Sequence, residues 1–253
     1  MTLDGSRVLV TGASSGIGAA TAELLSERGA TVGLVARRAD RLDEVLERCR
    51  SHAPESRRWV CDLGDLDAAV AVGLDAWDTF GHLDAIVHNA AIPRRRAAQD
   101  LTPDELDETM RVNFTSPVRM TLALLPRLLE RRAGVIVNVG SVGARLGIRH
   151  EAAYCASKFA LAGWSESLAV DLWHTGVRVR LVNPGPIDTE IWDQPGNDVA
   201  DYAGPLEPPS LVAEAIASAI EGDRFETYAP DMGPIIEWKN GNIDQFIEGV
   251  ASS

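Results

Sequence analysis

Short apolar segments alternate with longer helical patterns along almost the whole 253-residue chain. Several segments are nearly continuous Val, Ile and Leu, which is typical of strands covered on both faces of a sheet. Repeated strand–helix units with right-handed crossovers form an open parallel sheet with helices on both faces. The sequence therefore predicts an α/β fold with a doubly wound parallel sheet. The expected strands are Arg7–Thr11, Thr31–Ala36, Arg57–Cys61, Leu83–Asn89, Gly134–Val139 and Val177–Asn183.

One segment departs from this alternation. Residues Thr189–Ser210 are rich in Pro, Gly and Asp, and long loops of this kind are usually functional or disordered. No linker of mixed Gly, Ser and Pro divides the rest of the chain. We therefore expect a single domain over residues 1–253, with a substrate loop at about 189–210.

Charge and composition narrow the class of protein. Asp and Glu number 37 against 24 Lys and Arg, a net charge of -13, which argues against nucleic-acid binding and against docking on anionic membranes. No apolar segment approaches the ~20 residues of a membrane span. The three cysteines show no metal-binding spacing, and no signal peptide is evident. These features predict a cytoplasmic protein without a metal site.

A glycine-rich turn, TGASSGIG at residues 11–18, follows the first strand directly. Glycines in such a turn let the backbone approach a ligand closely, and the free N–H groups of the following helix favour an anion. A pyrophosphate is the simplest anion for this position, as in a Rossmann-type dinucleotide fold.

The end of the second strand bears on which dinucleotide binds. A carboxylate there would hold the ribose hydroxyls of NAD, but the sequence has Ala36 followed by Arg37 and Arg38. Guanidinium groups suit the 2′-phosphate of NADP(H). NADP(H) is therefore favoured and NAD(H) remains possible, with two solvated loop arginines as the alternative.

The segment YCASK puts Tyr154 and Lys158 one helical turn apart on the same face. On spacing alone this is either a catalytic pair or a core tyrosine with a lysine at its edge. The decision comes from other motifs: the glycine turn, HNAA at 88–91, Asn113 and Ser141. Together they resemble the short-chain dehydrogenase/reductase family in its compact single-domain form, over nearly the whole chain.

The resemblance implies a role for each of four residues. Tyr154 would be the general acid/base, and Lys158 would lower its pKa and hold the nicotinamide ribose. Ser141 would hydrogen-bond the substrate oxygen, and Asn113 would support a water relay to the lysine. Proline cannot donate a backbone hydrogen bond, so Pro117 is expected to kink the helix just after Asn113.

The resemblance also implies contacts along the whole cleft. The expected cofactor-binding residues are Gly12, Ser14, Ser15, Gly16, Ile17, Gly18, Arg37, Arg38, Asp62, Leu63, Asn89, Ala90, Ala91, Tyr154, Lys158, Pro184, Gly185, Ile187 and Thr189. The expected substrate contacts are Ser141, Tyr154 and Trp192.

Two features depart from the family pattern. Ala91 replaces the last glycine of the usual NNAG segment, and its methyl group would crowd the cofactor. FETYAPDMG stands near the C-terminus instead of a strand with a VDGG-like turn, so the expected homo-oligomer is either a dimer or a tetramer. His88 is expected to be a packed strand end. The run Arg94–Arg96 is expected to be solvated rather than to attract an anionic substrate.

These features predict an NADP(H)-dependent oxidoreductase acting on a ketone or secondary alcohol that is mainly apolar. The alternatives are a regulatory module that binds NADP(H) without turnover and an NAD-dependent alcohol dehydrogenase. A related epimerase or dehydratase is disfavoured because it usually carries an added substrate domain. The sequence leaves open which carbonyl compound reacts and in which direction.

Overall fold

A computed structural model describes residues 1–252, which form one seven-stranded sheet with helices on both faces. Every strand pair is parallel, in the order β3-β2-β1-β4-β5-β6-β7. The strands are β1 Arg7–Thr11, β2 Thr31–Ala36, β3 Arg57–Val60, β4 Ala85–His88, β5 Gly134–Val139, β6 Val177–Pro184 and β7 Glu226–Ala229. The predicted α/β class is confirmed, and the order reverses between β1 and β4, where such sheets bind ligands.

The helices complete the crossovers between the strands. They are α1 Gly16–Glu27, α2 Ala39–Arg50, α3 Leu66–Phe80, α4 Pro103–Met110, α5 Ser116–Arg131, α6 Ala152–Asp171, α7 Pro209–Glu221, α8 Gly233–Gly241 and α9 Ile243–Ser252. Helix α4 begins with a capping box, in which Thr102 and Glu105 exchange hydrogen bonds with each other's backbone. Among the described residues, no helix is both long enough and apolar enough to cross a membrane.

The sheet divides the apolar core into two layers. Val8 and Val10 of β1 pack on one face with α1 and α7, and Leu9 packs on the other face with α5. Both faces of the strand are therefore buried, which explains why the strands read as continuous apolar segments. Burying each such side chain contributes about 1.5–3 kcal/mol.

The C-terminal part contains elements that the sequence analysis did not predict. Residues Glu226–Ala229 form the edge strand β7, although only Ala229 among them is fully buried. A short edge strand needs only one covered face, so this segment lacks the continuous apolar pattern of the other strands. For that reason the sequence analysis did not recognise it. Two helices, α8 and α9, follow it, and Phe246 of α9 packs against Val142 and Leu146 near the end of β5.

Candidate active site

The glycine-rich turn packs closely against two other segments at the start of α1. Gly12 and Gly16 adopt φ of 68° and 51°, a region that favours glycine. A Cβ on Gly12 would lie 2.8 Å from the Cα of Ala90, and one on Gly16 would lie 2.9 Å from the Thr189 methyl carbon. No side chain caps the N-terminus of α1. Its N–H groups are therefore available to an anion, and this cradle fits a pyrophosphate.

The two arginines after β2 differ in their contacts. Arg38 donates to the Ser15 hydroxyl at 2.7 Å and to the Glu190 carboxylate at 2.7 Å. These contacts hold the pKa of Glu190 below its usual value, and Arg41 adds to the effect. Arg37 lines the same cavity and forms no ion pair with any described residue. Arg37 is thus the guanidinium left available for a phosphate.

Tyr154, Lys158 and Ser141 lie together at the other end of this cavity. Helix α6 carries Tyr154 and Lys158, with the lysine Nζ 5.7 Å from the centre of the tyrosine ring. Lys158 is buried, and its ammonium donates to the carbonyl of Val139 at 2.9 Å. Ser141 follows β5, and its hydroxyl accepts from the N–H of Gly143 at 3.0 Å. One phenol, one amine and one hydroxyl therefore lie at the same end of the cavity.

Burial dominates the titration of this pair. It raises the pKa of the Tyr154 phenol well above its usual value, although a hydrogen bond with Ser141 lowers it in part. It also lowers the pKa of Lys158 from 10.5 to about 8, because a buried ammonium loses its hydration. In the protein alone the loss of hydration outweighs the neighbouring groups, and the expected lowering of the tyrosine pKa by Lys158 with bound nicotinamide stays a prediction.

Asn113 lies in the short segment that connects α4 to α5. Residues Arg111–Thr115 form a π-helical turn, in which Ser116 donates to the carbonyl of Arg111 five residues earlier. Pro117 follows directly and cannot donate to the Asn113 carbonyl. The Asn113 amide group bonds the backbone of Ile92 on both sides, at 2.8 and 3.0 Å. Its side chain therefore holds the segment after β4, and it also donates to the Ser157 hydroxyl of α6 at 3.1 Å. Pro117 leaves the Asn113 carbonyl without its usual helical donor.

A single cavity of about 800 Å³ connects these groups. Its wall includes every predicted cofactor and substrate residue except Gly18, and it does not include Asn113. A Cβ on Gly18 would meet the carbonyl oxygen of Gly12, so this glycine allows close packing of helix and turn instead. His88 is buried and hydrogen-bonds Thr121, and burial lowers its pKa to about 4, which agrees with a packed strand end.

The expectation of a solvated run at Arg94–Arg96 is wrong. Arg95 is 3% exposed, and its guanidinium donates to the carbonyls of Ile191, Trp192 and Asp198. Its carbon Cζ also lies 5.8 Å from the centre of the Trp192 ring. Arg94 and Arg96 bond acidic partners such as Glu105 instead of extending into solvent. These bonds anchor the loop at 189–210. The sequence near Arg95 could not predict its burial, because the carbonyl partners lie about a hundred residues away along the chain.

The loop at 189–210 contributes two aromatic rings. Trp192 stacks on Tyr202 with ring centres 5.9 Å apart, and its indole donates to the Ile187 carbonyl at 2.6 Å. Both rings belong to the cavity wall. The loop therefore covers part of the cavity.

Glu151 is a cavity residue that the sequence analysis missed. It is the N-cap residue of α6, three residues before Tyr154, and both residues line the cavity. Burial raises the pKa of its carboxyl, and the positive charge of Arg95 opposes that shift. The spacing from Tyr154 was the available signal.

The chain is similar in sequence to known proteins. The family model described as short chain dehydrogenase matches residues 6–199. D-threitol dehydrogenase of Mycolicibacterium smegmatis is 34% identical over 200 residues, covering 78% of this chain and 77% of the relative. The 3-oxoacyl-[acyl-carrier-protein] reductase FabG of Vibrio harveyi is 34% identical over 222 residues, covering 85% and 90%.

Solved structures agree in fold. A short-chain dehydrogenase from Sphingobium yanoikuyae in complex with NADPH superimposes with a TM-score of 0.82 at 28% identity, covering 98% of this chain and 96% of that one. A short chain dehydrogenase from Burkholderia cenocepacia in complex with NADP gives a TM-score of 0.82 at 27% identity, with 98% of each chain covered.

Proposed function

The chain belongs to the short-chain dehydrogenase family of oxidoreductases, and from that premise we propose that it transfers hydride between NADP(H) and a ketone or secondary alcohol. The observation that carries the proposal is the single cavity that joins an anion cradle at one end to Tyr154, Ser141 and Lys158 at the other. A module that only binds the cofactor has no need of a buried amine beside a phenol.

The residues present fit the cofactor. The N–H groups at the start of α1 would hold the pyrophosphate, and Lys158 would hold the nicotinamide ribose. Bound NADPH would supply the hydride that the protein itself lacks. The cofactor contacts proposed from the sequence stay as stated, with Gly18 acting through packing and Ala91 in the wall of the cavity.

Side chains of the protein would supply the proton that the carbonyl oxygen takes up during reduction. Ser141 would bond the carbonyl oxygen and orient it toward Tyr154, whose phenol would donate the proton as the alcohol forms. Burial keeps Tyr154 protonated but raises its pKa in the protein alone, so proton donation would depend on Lys158 and the bound nicotinamide to favour the phenolate. Lys158, with a pKa of about 8, is close to the range in which it could restore that proton. Asn113 would act through its backbone carbonyl.

The preference for NADP(H) rests on charge. Arg37 has no ion-pair partner among the described residues, and the 2′-phosphate would supply one. The related structures from Sphingobium yanoikuyae and Burkholderia cenocepacia were solved with NADPH and NADP, which supports the same choice. Use of NAD(H) is the alternative.

The substrate end of the cavity is mainly apolar. Val142, Leu146, Ile148 and Ile191 belong to its wall, and Trp192 adds a large ring. Such a wall favours a substrate with an apolar body, and the loop at 189–210 would exclude water from the reaction.

A homo-oligomer is also part of the proposal. Large apolar side chains on α5 and on and just beyond α6 are exposed, including Leu122 at 51%, Val170 at 72% and Trp173 at 79%. Exposed apolar groups concentrated on neighbouring helices are typical of a subunit interface. Light scattering on the purified protein would give the number of subunits.

Tyr154→Phe tests the proposal directly. The variant keeps the ring and loses only the transferable proton, so ketone reduction should fall by at least about a hundredfold, within the range general acid catalysis contributes. NADPH binding, measured by fluorescence titration, should stay nearly unchanged. A parent enzyme that binds NADPH but consumes none with any ketone would favour the regulatory module instead.

A further inference from the structure

Glu151 is an acidic residue at the reacting end of a largely apolar cavity. Its negative charge acts on Tyr154, raising the tyrosine pKa, so the two groups are electrostatic neighbours. It is half-buried and immediately precedes α6, the helix that carries Tyr154. A carboxylate at this place faces the region where the carbonyl substrate must lie.

The Glu151 carboxylate accepts no hydrogen bond from any described residue, whereas its backbone is fully engaged. Its N–H donates to the Ile148 carbonyl at 3.1 Å, and its carbonyl accepts from Cys155 at 2.8 Å. The side chain is thus held in position on a fixed backbone. Its oxygens face the cavity without a protein donor, so a hydroxyl group of a bound ligand can donate to them.

Arg95, whose positive charge acts on Glu151, does not donate to its carboxylate. Arg95 influences Glu151 electrostatically, but its guanidinium N–H groups point at the backbone carbonyls of the loop at 189–210. It therefore contributes charge without a direct hydrogen bond. This keeps the carboxylate compatible with a buried site while its oxygens stay available.

We propose that Glu151 is a specificity-determining residue that accepts a hydrogen bond from a hydroxyl group of the substrate, close to the reacting carbonyl. The substrate class is then a hydroxy ketone, or the corresponding diol in the reverse direction, with an otherwise apolar body. This inference rests on the proposed reductase function and names the substrate class of that same site.

Matched substrates test it. The probes are α-hydroxyacetophenone and β-hydroxypropiophenone, each compared with its methyl ether, which has a similar shape and inductive effect but no donor. A hydrogen bond to a charged acceptor should make kcat/KM about tenfold or more higher for at least one hydroxy ketone than for its ether. The assay uses NADPH and is repeated at several pH values, because burial raises the pKa of this carboxyl.

Two variants and a control complete the experiment. Glu151→Leu should bring the ratio of hydroxy ketone to ether close to one, and Glu151→Gln should keep part of the preference because its amide oxygen still accepts. Glu47→Leu removes an exposed carboxylate of α2 that does not line the cavity, and it should leave the ratio unchanged. NADPH titration and melting temperature would show that each variant folds.

The outcomes separate the two proposals. If no ketone is reduced by the parent enzyme, the reductase function itself fails. If ketones are reduced but neither hydroxy compound is preferred, or if Glu151→Leu keeps the preference, only the role of Glu151 is overturned.

Discussion

Replacing Lys158 with Met should change how the stability of the protein depends on pH. The chain contains two lysines, and burial lowers the pKa of this one from 10.5 to about 8. Between these two values the unfolded chain holds the proton and the folded chain has released it. Unfolding therefore takes up a proton, and stability rises as pH increases through this range.

The magnitude follows from the shift. One pKa unit corresponds to about 1.4 kcal/mol, so a shift from 10.5 to about 8 corresponds to ~3 kcal/mol. Below the folded pKa, the parent carries the full cost of burying an ammonium, and above the unfolded pKa it carries none. The hydrogen bond to the Val139 carbonyl is lost in Lys158→Met at every pH, so it shifts the baseline rather than the slope.

Urea denaturation of the cofactor-free protein measures this. The free energy of unfolding of the parent minus that of Lys158→Met should rise by ~3 kcal/mol between neutral pH and pH 10.5. Lys239→Met, a change at the other lysine, serves as the control, because Lys239 lies on the outer helix α8 and is only partly buried. A difference for Lys158→Met that stays constant across this range would refute the argument.

Three further predictions concern the cofactor, the loop and the helix. Arg37→Ala should weaken NADPH binding about tenfold to a hundredfold and NADH binding little; equal losses in a titration would exclude a contact with the 2′-phosphate. Residues 189–210 should gain protection from hydrogen exchange when NADPH and ketone bind, and Arg95→Met should remove that gain, whereas strong protection without ligand would contradict a lid. Pro117→Ala should keep or raise the melting temperature and lower kcat, because a restored helical hydrogen bond would tighten the π-turn at Asn113; unchanged kcat would leave Pro117 only a packing role.

The sequence by itself determined the features that depend on local pattern. Strands β1, β2 and β5 begin and end at the predicted residues, because continuous apolar segments between helical patterns have few other solutions. The turn TGASSGIG and the spacing of Tyr154 and Lys158 are likewise local. The glycine conformations at the start of α1 and the closeness of Tyr154 to Lys158 therefore follow from local sequence.

The tertiary structure decided what depends on distant partners. The sequence predicts Arg95 to be one of three solvated arginines. It is buried because backbone carbonyls about a hundred residues further along the sequence accept hydrogen bonds from its guanidinium. The direction of the Tyr154 pKa shift is set by how deeply the phenol is buried, which helical spacing does not reveal. Strand β7 has too little apolar pattern to be recognised and exists because β6 offers an edge with which to pair. Local sequence pattern thus predicts the strands, helices and motifs. The charge state and the partners of their side chains depend on burial and on hydrogen bonds between distant residues.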